Sequence, residues 1–100
     1  MKIFDYECQT TFWQDFSIAE VYGGTSAIKD TFNRAFKEWK SNHVYLTELV
    51  MVLNHKMWGH YENGNLAWSR LYQELFEKAS GYALKHLKGE ELTYYLRVTD

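Results

Sequence analysis

One hundred residues supply one hydrophobic core and no second one, and with 46% hydrophobic side chains that core needs neither metal nor disulfide to hold it. A formal charge of −2, from 11 basic against 13 acidic side chains, argues against a general nucleic-acid or membrane-surface binder, because such proteins carry a positive excess that releases counterions. Cys8 is the one cysteine, which rules out an intramolecular disulfide and fits a reducing cytoplasm, and no stretch approaches the roughly 20 apolar residues of a membrane span.

Proline is absent, so Gly, Ser and Asn are left to punctuate the chain, as in helices joined by short turns. Residues 1–9 alternate weakly through Ile3, Phe4, Tyr6 and Cys8 and read as an extended arm in preference to an edge strand; Asp5 and Glu7 interrupt any secretory signal. A first helix is predicted over 11–22. Thr10 or Thr11 caps it, Gln14 completes a capping box with Thr11, and Phe12, Phe16, Ala19 and Val21 or Tyr22 form its apolar face. Gly23-Gly24 stops it.

Thr25 or Ser26 then caps a second helix over 26–41, in which Ile28, Phe32, Ala35, Phe36 and Trp39 hold the i, i+4, i+7, i+8, i+11 rhythm. Ser41-Asn42-His43 breaks it and starts the third helix, 43–61. There Leu46, Leu49, Val50, Leu53 and Met57 share one side, while Met51, Val52 and Trp58 make the other sides apolar as well. A helix that is apolar nearly all round belongs in the middle, so residues 46–58 are expected to form the central post of a bundle. Asn63-Gly64-Asn65 turns the chain into a fourth helix, 65–87, with a stripe through Trp68, Leu71, Tyr72, Leu75, Ala79, Tyr82, Ala83 and Leu87. Gly81 inside it implies a bend or a close neighbour. In the tail, Leu92, Tyr95 and Leu96 space like a short helix, whereas Leu92, Tyr94, Leu96 and Val98 alternate like a strand; helix is favoured.

Chemistry is sparse. His55, His60 and Glu62 invite a small metal-dependent enzyme, but five residues put the two histidines about 140° apart on a helix, and HKMWGH lacks the spacing of a zinc helix. Cys8 has no evident activating base, and Gly23-Gly24 is too short for a phosphate-binding loop. Lys29, Arg34, Lys37 and Lys40 give the second helix a basic face, interrupted by Asp30 and Glu38, so a solvated surface is favoured over a DNA-binding one. Four Trp, eight Tyr and six Phe exceed what so small an interior readily hides. The surplus points to an exposed aromatic patch, and such patches mark partner sites.

The segments TTFWQDFSIAE (10–20), AIKDTFNRAFKEWK (27–40), YLTELVMVLNHK (45–56) and KGEEL (88–92) resemble a group of short hypothetical proteins carried by bacterial mobile elements, chiefly conjugative transposons and related gut-bacterial islands. The resemblance covers most of the chain. It implies a bacterial cytoplasmic accessory protein whose partner serves element transfer, element regulation or host defence, and it assigns no catalytic or ligand residue.

The expectation is therefore one all-α domain over 1–100, without catalytic residues, cofactor or metal. It acts as a non-enzymatic interaction module, a homodimer or an adaptor, through Trp58, Tyr61, Trp68, Tyr94 and Tyr95. The alternative is a DNA-transaction factor using Lys29, Arg34, Lys37 and Lys40.

Overall fold

Glycine and asparagine decide where this chain turns, and helices fill what lies between. The computed structural model describes the backbone of residues 6–99 and the side chains of residues 11–99. Among the described residues five α-helices follow one another, α1 Tyr6–Tyr22, α2 Gly24–Trp39, α3 His43–Glu62, α4 Leu66–His86 and α5 Glu90–Thr99, and no strand occurs. The expected starts of α3 and α4 are built by side chains. Asn42 Oδ1 accepts from the N–H groups of Val44 and Tyr45 at 3.1 and 3.2 Å, and Asn65 Oδ1 accepts from that of Trp68 at 3.1 Å.

The first two helices depart from expectation at their starts. No glycine or proline interrupts residues 6–22, so within the described residues α1 is already helical from Tyr6 and Thr11 lies inside it instead of capping it. Of the arm expected over 1–9, residues 1–5 lie outside the described residues, as does the side chain of Cys8. Helix α2 starts at Gly24, with Gly23 at the cap and no side-chain cap bond, so Thr25 and Ser26 already sit in its first turn. The glycine pair is what lets the chain reverse with no loop. Gly24 has φ +68, and a Cβ on Gly23 would lie 2.3 Å from the Cβ of Ala27.

Helix α3 packs against all four others, most extensively α4. Every residue from Leu46 to Val50 is buried, including Thr47 and Glu48, which the apolar stripe does not explain. Thr47 turns its hydroxyl back to the carbonyl of His43 at 2.6 Å. The central-post expectation thus holds through Leu53 and Lys56, while Trp58 emerges into solvent.

The tail is helical. Leu92 packs on the core, Tyr95 is 2% exposed, and its hydroxyl lies 2.6 Å from Ser80 Oγ. Glu90 and Glu91 in the first turn and Arg97 in the last suit the helix dipole. With no strand edge to pair with, a helix is the form that satisfies the segment's backbone internally.

Along α4 the buried residues Leu71, Tyr72, Leu75, Ala79 and Ala83 follow the predicted stripe, but Gly81 is exposed and a Cβ there would meet nothing within 4 Å. Of the bend and the close neighbour that Gly81 offered as alternatives, the neighbour is absent, and the exposed glycine costs the helix backbone entropy that no packing returns. Gly81→Ala should raise stability by about 0.5–1 kcal/mol and the melting midpoint by several degrees; an unchanged or lower midpoint in a calorimetric scan would contradict this.

Candidate functional site

Helix α1 is apolar on two sides, which is why no single stripe describes it. Phe12, Phe16 and Ala19 face the core, whereas Ile18, Val21 and Tyr22, at i, i+3 and i+4, point outward with exposures of 57%, 75% and 85%. Between these faces run two polar residues, Ser17 and Glu20, and they lock the helix in place. Glu20 Oε2 accepts from Tyr72 Oη at 2.6 Å and lies 2.8 Å from His60 Nε2, while Lys56 Nζ sits 3.4 Å from both carboxylate oxygens. Lys56 also donates to Ser17 Oγ at 2.7 Å, and its ammonium lies 4.0 Å from the ring centroid of Trp13. The rings continue the cluster: His60 stacks on Tyr72 and meets Trp68 edge-on, and Tyr72 meets Phe16 edge-on.

This clamp joins three helices at one end of the bundle. Lys56 and His60 share a face of α3 one turn apart, and Tyr72 reaches across from α4, whose backbone does not pack against α1. Burial pushes the Glu20 carboxyl up, but the hydrogen bonds from Tyr72 and His60 and the charge of Lys56 outweigh it and leave it below its ordinary 4.5. Burial pulls Lys56 below the usual lysine range, an effect Glu20 only partly offsets. Burial, reinforced by the hydrogen bond and the charge of Glu20, raises the Tyr72 phenol, which stays a donor. The ammonium spends its donors on Ser17, Glu20 and the Trp13 ring, so the cluster's polar atoms are directed at one another.

Outside the clamp, α1 and α2 enclose an open groove of about 1040 Å³. Asp15, Ile18 and Tyr22 line it from α1, and Asp30, Arg34 and Glu38 from α2. Small residues, Ala19, Ala27 and Ala35, form its floor.

The residues singled out in the sequence do not form one patch. Trp58 and Tyr61 are both half exposed and meet edge-to-face, one turn from the end of α3. Trp68 is half-buried against the core, Tyr94 is half-buried with His43 edge-on to it, and Tyr95 is interior, so these three do not extend an aromatic surface. The physical reason is that α5 folds its Tyr95 side onto the bundle. His60 turns inward to Glu20, while His55 and Glu62 are exposed on the other flank of α3; no group of three His, Cys, Asp or Glu side chains able to hold a metal ion converges among the described residues. The basic face divides as well. Arg34 lines the α1 groove between Asp30 and Glu38, whereas Lys40 reaches over Tyr82 of α4.

Sequence reasoning missed Ser17, Glu20 and Lys56, and it also missed the pairing of Tyr72 with Glu20. Two signals were present: Glu20 stands one turn after Phe16 on the buried side, and Tyr72, in the α4 stripe, brings a hydroxyl that burial obliges to find a partner. No family model, curated protein or solved structure matches this chain.

Proposed function

We propose that the protein is a non-enzymatic interaction module that self-associates through the outward face of α1 and the adjoining α1–α2 groove. The observation that carries this reading is the trio Ile18, Val21 and Tyr22, three large apolar side chains on one helix face, held outward because the Glu20 clamp fixes the opposite side of α1. A second copy is the occupant that the charges favour. Asp30, Arg34 and Glu38 run along α2 as acid, base, acid at four-residue spacing, a row that reads the same in both directions. A two-fold axis passing between Arg34 and Glu38 sets each Arg34 opposite Glu38 of the other copy, whereas an axis through Arg34 itself sets like charges opposite one another, so the charges select the offset register of an isologous dimer. This replaces Trp58, Tyr61, Trp68, Tyr94 and Tyr95 as the contact surface, and the resemblance to mobile-element proteins supplies a bacterial setting for it.

Light scattering on a size-exclusion column is the test. The wild-type chain should run as a dimer at tens of micromolar, and Val21→Glu or Tyr22→Glu should return it to a monomer with unchanged helical circular dichroism. A wild-type chain that stays monomeric at high micromolar concentration, or a Tyr22→Glu variant that stays dimeric, overturns the proposal.

A further inference from the structure

The lysines of α2 do not stand alone. Lys29, Phe36 and Lys40 lie at i, i+7 and i+11 on the side of α2 that faces α4, with Lys37 turned away from it, and α4 answers with Lys78, Tyr82 and Lys85. Contacts tie the two helices into one surface. Lys40 Nζ lies 5.8 Å from the Phe36 centroid and 5.7 Å from that of Tyr82, Lys78 Nζ lies 5.8 Å from Phe32, and Phe36 meets Tyr82 edge-on at 5.2 Å. His86, an exposed residue, stacks on Tyr82 with centroids 4.1 Å apart and planes 29° from parallel, which leaves the other face of its ring without a ring contact among the described residues.

Four lysines thus lie on this face, Lys40 and Lys78 directly against the rings, and among the described residues no carboxylate lies within ion-pair distance of any of them. Glu74, one turn before Lys78, is the acid nearest in register. In a chain with a net charge of −2, this concentration of cations on one side leaves the excess acid elsewhere.

We propose that the α2–α4 face binds single-stranded nucleic acid, with Lys29, Lys40, Lys78 and Lys85 along the phosphates and the His86–Tyr82 stack receiving a base. Lys29 to Lys40 spans three turns, about 16 Å, enough to follow several successive phosphates. A duplex fits less well: the face is a seam between two packed helices, without a projecting helix to enter a major groove, and its π surface serves only an unpaired base.

Fluorescence anisotropy of a labelled oligothymidylate of about 20 nucleotides tests this. Binding should be measurable at about 50 mM salt and weaken with a log–log slope of roughly −2 to −3, as expected for up to four phosphate contacts on a single strand. Lys40→Glu with Lys78→Glu should weaken binding by about tenfold or more, and His86→Ala severalfold at an unchanged salt slope. Arg97→Glu, the same charge change on the exposed surface of α5, should have little effect. Equal affinity for a duplex of the same length, equal competition by inorganic polyphosphate, an Arg97→Glu effect as large as the lysine pair's, or no binding at all would each overturn the proposal. Because the face is separate from the α1–α2 groove, Val21→Glu should leave nucleic-acid binding intact, whatever the oligomeric state.

Discussion

Glu20→Ala is expected to destabilise the fold by about 3–5 kcal/mol, measured by urea titration, which is a large part of what a domain of this size has. Three donors converge on this one carboxylate, from Lys56, His60 and Tyr72, and its side chain is only 13% exposed. Removing it leaves a buried ammonium without its counter-charge and a fully buried phenol without an acceptor. Lys56→Met should cost much less, about 1.5 kcal/mol or below, since methionine keeps the apolar stem under Trp13 and Glu20 retains two donors. A Lys56→Met loss exceeding that of Glu20→Ala would show that Glu20 is not the hub.

Acid should erode the same contribution. Glu20 titrates below its ordinary 4.5 in the folded chain, so its stabilisation is complete above that pH and disappears as pH falls through the native value. The stability gap between wild type and Glu20→Gln should therefore narrow below about pH 4.5; a gap independent of pH down to the acid unfolding limit would contradict the assignment.

Leu53→Ala should cost about 3–5 kcal/mol, whereas Leu66→Ala, the same chemical change, should stay within about 0.5 kcal/mol. Leu53 has no exposed surface and sits on α3, which every other helix covers, so the deleted carbons leave a cavity that cannot collapse without moving several helices. Leu66 begins α4 with 60% of its surface in solvent. Equal losses at the two sites, from urea midpoints at equal m-values, would mean that α3 is not the enclosed element.

Neither the clamp nor the lysine face could be assembled by reading along the chain. The four contacts of the clamp join residues 36 to 52 positions apart, and helical periodicity relates residues only within a few turns. The same limit explains the aromatic patch. By spacing alone Tyr94 and Tyr95 both count as surface candidates, and only the docking of α5 on α3 and α4 decides that Tyr95 goes inside. In α1 the pattern itself is ambiguous, because apolar residues on two opposite faces leave little amphipathic contrast, so periodicity places Val21 or Tyr22 on the buried side although both are exposed.

What this sequence determined by itself is its helical form, the Asn and Gly turns, and the burial of Leu46, Leu49, Val50 and Leu53, because propensity, capping and a side chain's hydrophobicity act locally. Tertiary structure alone decided which surplus apolar and charged groups remain at the surface and which side chains meet: α1 presents Ile18, Val21 and Tyr22 to solvent, and α4 joins its lysines to those of α2. Those outcomes depend on which helix lies beside which, and the free energy of that choice resides in contacts between segments far apart in the chain.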